Sequence, residues 1–163
     1  MNNLSMIASR GKNGELGRNN QLIWRFHEDM KFFKKNTINK DIVMGRKTLE
    51  SLPGLLPKRR HIVLTHSDIY IPGVIVFHNK NDILNYAFVQ DEEVVIIGGE
   101  SIYRLFIDDV DRILLTEIDD VCVDADAFFP DFNQDNFYKN ILGKKRENNI
   151  NFQHVEYTRK LRR

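Results

Sequence analysis

The sequence is poor in the features that mark secreted, membrane-bound and nucleic-acid-binding proteins. Its one cysteine, Cys122, has no partner for a disulfide within the chain, so a reducing compartment is expected. The 24 basic and 23 acidic residues give a formal net charge of +1, without the basic excess of a nucleic-acid-binding surface. No apolar run is long enough to span a membrane, and the N-terminal residues lack the charged and apolar segments of a secretory signal. We therefore expect a cytoplasmic protein that binds neither nucleic acid nor membranes.

Several kinds of catalytic chemistry lack their residues as well. There is no Gly-x-Ser-x-Gly motif and no lysine-bearing phosphate loop, and Cys122, within the apolar stretch 121–123, is expected to be a small core residue. The five histidines do not have the spacing of a metal site, and we predict no metal; they are His27, His61, His66, His78 and His154. What remains is a helix carboxylate, a tryptophan, polar strand ends and a glycine pair, which suit chemistry supplied by a nucleotide cofactor.

The glycine pair Gly98-Gly99 lies at the centre of the predicted fold. Residues 94–97 are β-branched and apolar and predict a strand buried on both faces, and the apolar spacing within 102–106 predicts a helix after the pair. In an open α/β sheet, ligands bind in the crevice at the carboxyl ends of central strands. Without a Cβ, the pair would let a ligand contact the main chain. An ordinary turn that needs positive φ explains the pair equally well.

The rest of the chain alternates between predicted strands and helices. We predict an α/β fold with a single domain over 1–163, a central, mostly parallel, twisted sheet flanked by helices, and an antiparallel C-terminal edge hairpin. Residues 10–21 contain three glycines and no periodicity, which predicts a long mobile loop. The other predictions are strands at 4–9, 41–45, 61–65, 74–77 and 112–118, helices at 26–35 and 83–88, a loop at 124–130, and hairpin strands at 137–142 and 150–159.

The predicted helix at 26–35 carries a carboxylate among apolar residues. Phe26, Met30 and Phe33 fall on one face, and Asp29 lies one turn before Phe33 on nearly the same side. A carboxylate on an apolar face indicates a binding or catalytic role. The alternative is that Asp29 only complements the helix dipole from the first turn, a role that Glu28 fills better. The pattern alone slightly favours the alternative.

The chain repeats the strand, glycine and helix pattern at residues 41–52. Arg46 and Lys47 stand at the start of this second helix, where the helix dipole disfavours cations. A phosphate held by Arg46, main-chain N–H groups and Thr48 would compensate their charge, although solvated surface charge explains Lys47 as well. His66 ends another strand and offers a second place for an anion.

Taken together, the motifs of the chain resemble one known family over essentially its whole length. The early motifs are Met6-Ile7-Ala8, Gly17 with Leu22-x-Trp24, and Asp29-Met30-x-x-Phe33. The middle motifs are Val43-Met44-Gly45-Arg46-Lys47-Thr48-x-Glu50-Ser51 and Leu56-Pro57-x-Arg59. The late motifs are Ile97-Gly98-Gly99-x-x-x-Tyr103 and Thr116-x-Ile118, followed by Asp126-x-x-Phe129-Pro130. Each motif is weak alone, but in this order and spacing they resemble the bacterial-type dihydrofolate reductase family.

This resemblance implies NADPH-dependent reduction of 7,8-dihydrofolate to 5,6,7,8-tetrahydrofolate, with hydride transfer to the pterin ring and protonation of the adjacent nitrogen. It implies that dihydrofolate and folate analogues are the partners, and we expect a monomer. Asp29 would hold the amino-pyrimidine edge of the pterin, whose two neighbouring N–H groups match a carboxylate, and would support the protonation. Thr116 would support Asp29, and Arg59 would pair with the glutamate tail of the substrate.

The residues that the resemblance assigns to the site form three sets, none of which binds a metal. The catalytic set is Asp29, Trp24, Leu22 and Thr116. The substrate-binding set is Ile7, Asp29, Met30, Phe33, Leu52, Leu56, Arg59 and Ile97. The cofactor-binding set is Ala8, Leu16, Gly17, Leu22, Gly45, Arg46, Lys47, Thr48, Leu64, Thr65, His66, Gly98, Gly99, Glu100, Ser101, Ile102 and Tyr103. In this family the peptide bond between the two glycines is cis.

The sequence departs from the family pattern at a few positions around the cleft. Ile23 stands before Trp24, where the family usually has proline, and Leu49 replaces a common aromatic residue. Residues 53–55 differ from the usual loop, and the stretch 119–124 is one residue longer than in close relatives. These departures affect the expected loop dynamics and inhibitor affinity, including a reduced sensitivity to trimethoprim.

Two other functions stay open at this point. A related reductase would act on another pterin or on a pyrimidine intermediate, although the presence of both Asp29 and Arg59 argues against it. Comparing dihydrofolate with a substrate that lacks the glutamate tail separates these two activities. A nucleotide-binding module without catalysis would bind NADPH without turnover, which the loss of NADPH absorbance with and without dihydrofolate would reveal.

Overall fold

Eleven strands and four α-helices make up residues 3–161, the part of the chain that the computed structural model describes. The strands are β1 (Leu4–Arg10), β2 (Glu15–Arg18), β3 (Gln21–Leu22), β4 (Asp41–Gly45), β5 (Arg60–Leu64), β6 (Val74–Phe77), β7 (Val94–Gly98), β8 (Arg112–Ile118), β9 (Ala127–Phe128), β10 (Phe137–Glu147) and β11 (Ile150–Arg159). The helices are α1 (His27–Thr37), α2 (Arg46–Ser51), α3 (Lys80–Phe88) and α4 (Glu100–Phe106). Within residues 3–161 we find no helix that is long and apolar enough to cross a membrane.

The ends of the chain lie outside the described residues. Met1 and Asn2, which belong to the N-terminal segment considered above for a secretory signal, are among them, as are Arg162 and Arg163. The domain limits of 1–163 therefore stay a prediction.

Eight strands form one sheet in the order β10-β11-β8-β1-β7-β4-β5-β6. All neighbours from β8 to β6 are parallel, whereas β11 runs antiparallel to β8, and β10 runs antiparallel to β11. Parallel neighbours require crossover connections, which helices supply except between β5 and β6, where residues 65–73 form a loop. The predicted α/β class, with a mostly parallel sheet and an antiparallel edge hairpin, is confirmed.

Strand β7 runs through the middle of the core. Val94, Val95 and Ile96 are each at most 1% exposed. Because side chains alternate along a strand, Ile96 packs into the apolar cluster on one face of the sheet and Val95 into the cluster on the other face. The prediction of a strand buried on both faces is confirmed, and it places Gly98 at the carboxyl end of a central strand.

Helix α1 begins at His27, and a distant side chain caps its first turn. The preceding residue, Phe26, has an extended backbone and gives the helix start no side-chain hydrogen bond. Instead, the Glu147 carboxylate on β10 accepts hydrogen bonds from the main-chain N–H groups of His27 and Glu28, at 2.8 and 2.7 Å. These bonds hold the pKa of Glu147 below its usual value.

The predicted common face of Phe26, Met30 and Phe33 is wrong. Phe26 precedes the helix and stacks on Phe152, with ring centroids 4.5 Å apart. Met30 is 64% exposed, whereas Phe33 packs against the apolar cluster beside the sheet. Phe26 belongs to a different apolar cluster from Phe33, and Met30 is exposed, so the three side chains do not form one buried face.

Residues 10–21, predicted as one long loop, contain the two strands β2 and β3. Strand β2 pairs with β3 and with β9, which gives a second antiparallel sheet in the order β3-β2-β9. The prediction of a loop throughout 124–130 is therefore wrong at β9. Glu15 in β2 is 1% exposed, and its carboxylate accepts main-chain hydrogen bonds from Asn13 and Cys122 at 2.7 and 2.6 Å. Cys122 and strand β9 are distant from β2 in sequence, so local periodicity does not reveal the sheet.

Cys122 is not the core residue that the sequence predicts. Its side chain is partly exposed and donates a hydrogen bond to Asp124 at 3.2 Å, while Val121 and Val123 are 42% and 97% exposed. The main-chain bond from Cys122 to Glu15 holds the stretch at the surface, against β2. Apolar residues in a loop do not have to be buried, and here they are exposed.

The C-terminal hairpin is confirmed, but β10 is longer than predicted. It continues to Glu147, and the register with β11 shifts between Ile141 and Gly143. Asn148 and Asn149 have φ values of 51° and 63°, which is typical of a two-residue hairpin turn. The glycine therefore marks an irregularity within the strand and not the beginning of a loop.

Candidate active site

The Asp29 carboxylate lies where α1 meets three neighbouring strands. Its Oδ1 accepts hydrogen bonds from the Thr116 hydroxyl and from His154 Nε2, the latter at 3.3 Å. Its Oδ2 accepts a hydrogen bond from the Ser9 hydroxyl. The Asp29 side chain is 16% exposed. A carboxylate this buried needs hydrogen-bond donors, and these three side chains supply them.

The three donors come from one rung of the large sheet. Ser9 on β1 is the register partner of Thr116 on β8, and Thr116 is the register partner of His154 on β11. Asp29, from the first turn of α1, reaches this rung. Because strand register fixes the donors, the rung holds the carboxylate in place. The predicted contact between Thr116 and Asp29 is present, whereas Ser9 and His154 were not predicted.

Five side chains predicted to bind the substrate belong to one apolar cluster. Of these five side chains, Ile7 is buried inside the cluster and is 5% exposed. The other four are partly buried at its margin: Phe33, Leu52, Leu56 and Ile97. Met30, also predicted to bind the substrate, is not part of the cluster and is 64% exposed.

Arg59 is held at the edge of this cluster by neutral groups. Its guanidinium donates to the Thr37 hydroxyl at 3.1 Å and to the Pro57 carbonyl at 3.0 Å, and burial lowers its pKa. His61, which is 1% exposed, accepts a hydrogen bond from the main-chain N–H of Leu56 at 3.0 Å. His61 thus fixes the loop that carries two predicted substrate residues, a role that its sequence context did not suggest.

The glycine pair forms a tight corner at the end of β7. Gly98 has φ +136°, and the peptide bond to Gly99 is cis, as the resemblance implied. A Cβ at either glycine would lie 3.4 to 3.5 Å from the Thr48 hydroxyl. The Tyr103 hydroxyl donates to the Ile7 carbonyl at 2.7 Å, and burial raises the pKa of Tyr103. The corner therefore exposes main chain that any other residue pair would cover, which suits a flat cofactor ring.

The residues predicted to bind the cofactor phosphates stand at adjacent strand ends. Gly45 on β4 is the register partner of Leu64 on β5, so Arg46 and Thr65 follow neighbouring strands. Arg46 is 49% exposed, and its Nε lies 3.0 Å from Glu50 Oε1. Three more predicted residues of this set are also exposed: Lys47, His66 and Ser101. Cationic, hydroxyl and imidazole groups can all donate hydrogen bonds to phosphate oxygens, so these residues suit a phosphate-binding role.

The other predicted cofactor residues belong to β1, α4 and the small sheet. Ala8 is 8% exposed and Leu16 partly buried, whereas Leu22, paired with Gly17, is 60% exposed. The Glu100 carboxylate accepts a hydrogen bond from the main chain of Phe128 at 2.7 Å, which ties α4 to β9. Ile102 is 7% exposed and packs closely against Gly45. A Cβ added to Gly45 would lie 3.2 Å from the Ile102 side chain.

Trp24, predicted to be catalytic, is bound to the lengthened loop at 119–124. Its indole N–H donates to Asp120 Oδ2 at 2.9 Å, a bond that holds the pKa of Asp120 below its usual value. Its side chain is partly buried and packs against the cluster of Phe26, Ile118 and Phe152. The indole N–H is therefore directed at this loop and not at Asp29.

Sequence reasoning missed the polar residues that support the predicted ones. Ser9 ends the first predicted strand, and His154 interrupts the apolar side of a late strand, so each carried a signal in the form of a polar residue on a buried strand. Neither signal pointed to Asp29, because their proximity depends on the register of three strands. Asp120 lies in a loop, where a polar residue is ordinary, so nothing in the sequence marked it as a partner of Trp24.

The arrangement limits what the site can bind. A carboxylate beside an apolar cleft suits a flat ring with polar N–H groups along one edge. The glycine corner and the strand ends with phosphate-binding side chains suit a nucleotide, and they lie at the same edge of the sheet as the carboxylate. The fold and the site together define a nucleotide-dependent α/β oxidoreductase.

Comparison with known proteins gives the family. A family model described as dihydrofolate reductase matches residues 3–159. The dihydrofolate reductase of Buchnera aphidicola subsp. Schizaphis graminum is 37% identical over 143 residues, covering 87% of this chain and 88% of the relative. The dihydrofolate reductase of Haemophilus influenzae is 36% identical over 130 residues, covering 79% of each chain.

A solved structure agrees with the sequence comparisons. Dihydrofolate reductase from Enterococcus faecalis, complexed with NADP(H) and RAB-propyl, superimposes with a TM-score of 0.84 at 31% identity, covering 96% of this chain and 95% of that one. The chain belongs to the dihydrofolate reductase family.

Proposed function

We propose that Asp29 is the residue through which this protein holds the pterin ring of dihydrofolate and supports its protonation. The protein reduces 7,8-dihydrofolate to 5,6,7,8-tetrahydrofolate, with NADPH as the source of the hydride. The observation that carries the proposal is the rung of Ser9, Thr116 and His154, which fixes one carboxylate beside the apolar cleft.

The geometry of the carboxylate suits the polar edge of the substrate. An amino-pyrimidine edge presents two neighbouring N–H groups, and a carboxylate accepts two parallel hydrogen bonds from such a pair. Ser9 and Thr116 donate to different oxygens of Asp29, so both oxygens have a defined position. A carboxylate held in this way binds the ring and also anchors the route of the proton to the reacting nitrogen.

The apolar cluster would hold the faces of the pterin ring and the adjoining part of the substrate. Ile7, Phe33 and Ile97 belong to the cluster, together with Leu52 and Leu56. Arg59, at the edge of that cluster, would pair with a carboxylate of the glutamate tail. Its present partners are neutral oxygens, so a carboxylate would be its first full charge partner.

NADPH would lie along the carboxyl ends of the parallel strands. Gly98 and Gly99 would admit its nicotinamide end beside Thr48 and Tyr103. Arg46 and Thr65, at adjacent strand ends, would hold phosphate groups. The remaining residues of this cofactor set would complete the surface: Ala8, Leu16, Gly17, Leu22, Gly45, Lys47, Leu64, His66, Glu100, Ser101 and Ile102.

We further propose that the protein acts as a cytoplasmic monomer of one domain. The three neighbouring strands that hold Asp29 and the helix that carries it all belong to one chain. The chain therefore completes the proposed carboxylate site without a second copy.

The test is the loss of NADPH absorbance on addition of dihydrofolate at neutral pH, with Asp29→Asn compared with the parent protein. The Asn side chain keeps the size but removes the charge and one acceptor, so turnover should fall by at least about 100-fold, within the range of general acid–base contributions. Glu28→Gln is the matched control, because it neutralises the adjacent carboxylate in the same helical turn, and it should keep near-native turnover. Near-native turnover of Asp29→Asn would contradict the proposal.

A further inference from the structure

His154 is the one ionisable donor among the three that hold Asp29. Its Nε2 lies 3.3 Å from Asp29 Oδ1, and its side chain is 6% exposed. A carboxylate oxygen only accepts hydrogen bonds, so the contact requires a proton on His154 Nε2. The other two donors, Ser9 and Thr116, are hydroxyls that do not titrate in the accessible pH range.

Aromatic rings fix the orientation of this imidazole. It stacks on Phe32, with ring centroids 3.9 Å apart and planes 7° from parallel. Phe152 meets it edge-on, with centroids 5.9 Å apart. Phe32 lies one turn after Asp29 on α1, so the same helix supplies the stacking ring and the acceptor. The imidazole is therefore directed at Oδ1 by packing as well as by strand register.

Few other charged groups face His154 from the elements around it. On α1 the group in contact is Asp29, and the register partners on β8 and β10 are Thr116 and Gly143, which carry no charge. Glu147 on β10 caps α1, and its negative charge is repelled by that of Asp29 without direct contact. Asp29 is thus the charged group in direct contact with His154, while Glu156, on the same face of β11, pairs with Arg112 at 2.8 Å.

We propose that His154 is a positioning residue for the reduction, because its Nε2–H donates to Asp29 and favours the ionised carboxylate in a fixed orientation. This inference rests on the proposed role of Asp29. A donor to a carboxylate stabilises the charged form and reduces its attraction for a proton. Without that donor, the carboxylate would attract protons more strongly, whether on itself or on the substrate ring. In both cases the pH midpoint of hydride transfer moves to higher pH.

The test measures the rate of hydride transfer in the first turnover, at saturating NADPH and dihydrofolate, as a function of pH. His154→Phe keeps an aromatic ring between Phe32 and Phe152 but removes the donor. Its midpoint should move up by about 0.5–1 pH unit, the size expected for one hydrogen bond to a carboxylate. His154→Gln, which keeps a side-chain N–H, should return the midpoint to within about 0.3 pH unit of the parent value. An unchanged midpoint in His154→Phe would overturn the inference.

Tyr157→Phe is the matched control on the same strand. It removes a side-chain hydroxyl that contacts Glu117, on the opposite side of the sheet from Asp29. It should lower stability without moving the pH midpoint. A shift equal to that of His154→Phe would mean that any loss of packing in β11 changes the profile, and would overturn the specific role of His154.

The same experiment on an Asp29→Asn background separates the two proposals. If His154 acts through Asp29, His154→Phe should produce no further shift once the carboxylate is gone. A full shift on that background would overturn the inference but leave the role of Asp29 intact. Near-native turnover of Asp29→Asn alone would instead contradict the proposed function.

A second measurement on the parent protein does not depend on how the variants fold. The ¹⁵N chemical shifts of the His154 ring report which nitrogen carries the proton. We expect the proton on Nε2 when the imidazole is neutral, and we expect the titration of the ring to change in Asp29→Asn. A proton on Nδ1 would overturn the inference, because Nε2 would then have nothing to donate.

Discussion

The two ends of the proposed active site differ in how far the protein alone determines them. At the substrate end, Asp29 is 16% exposed and receives three hydrogen bonds from one rung of the sheet. At the cofactor end, Arg46 is 49% exposed and pairs with Glu50, four residues on along α2. The first arrangement is fixed by strand register, whereas the second depends on long side chains at the surface.

This difference predicts a difference in energetics. An exposed ion pair within a helix contributes about 0.3–0.5 kcal/mol, so Arg46 can exchange Glu50 for a phosphate at little cost. The donors to Asp29 have no such alternative, because an unpaired group in that position would stay buried. Loss of a donor at the substrate end should therefore affect the chemical step, and loss of a charge at the cofactor end should affect binding.

The largest effect expected at the cofactor end is that of Arg46→Ala on cofactor affinity. If Arg46 binds the extra phosphate that distinguishes NADPH from NADH, its removal should reduce the affinity for NADPH by about 1.5–3 kcal/mol, or about 10- to 150-fold in Kd. NADH binding should change little. Fluorescence titration of both cofactors measures this, with Arg146→Ala on exposed β10 as the control. If the affinities for NADPH and NADH fall equally, Arg46 instead binds a phosphate that both cofactors contain.

A smaller effect is expected for Thr116→Val, which keeps the shape of the side chain and removes its hydroxyl. Asp29 would lose one of two donors to Oδ1, at a cost of about 1.5 kcal/mol, which is roughly tenfold in turnover. NADPH affinity should be unchanged, in contrast to Arg46→Ala. Thr158→Val, at an exposed position on β11, is the control. If Thr116→Val changes the affinity for NADPH and leaves turnover unchanged, the proposed difference between the substrate end and the cofactor end is contradicted.

The smallest effect is expected for Ile23→Pro, just after β3. Proline would remove backbone freedom at the end of the segment 10–21 and stiffen its motion over the cofactor. We expect turnover and inhibitor release to change by about two- to fivefold, corresponding to about 0.4–1 kcal/mol, because loop opening can limit product release. The hydride-transfer step itself should keep its rate. If all three rates equal those of the parent, the residue before Trp24 does not influence the loop.

The parts of the fold that follow from local sequence were predictable. The β-branched run of β7 and the glycine pair gave the central strand and the corner at its end, because a strand buried on both faces leaves few alternatives for its sequence. The small sheet was not predictable from periodicity. Strand β2 is held by its pairing with β9 and by the hydrogen bond from Cys122 to Glu15, both from residues far along the chain, so its formation depends on tertiary contacts.

In the proposed site, too, some residues could be predicted from the local sequence and others depend on contacts between distant strands. The helix position of Asp29 was visible in the sequence, but the burial of its neighbours was not, since Met30 is 64% exposed. Ser9 and His154 were not assigned to the site, since a single residue of slippage in β1 or β11 would turn them to the other face of the sheet. The register that brings them to Asp29 comes from the whole sheet.

The most direct test of the account follows the rate of hydride transfer in Asp29→Asn from neutral to acid pH. If the partly buried Asp29 carboxylate supports protonation of the pterin ring, the variant should be slower than the parent by at least about 100-fold at neutral pH. Its rate should rise toward the parent value as the pH falls, because the substrate then takes its proton from solvent. A variant that transfers hydride at the parent rate at neutral pH would contradict the account.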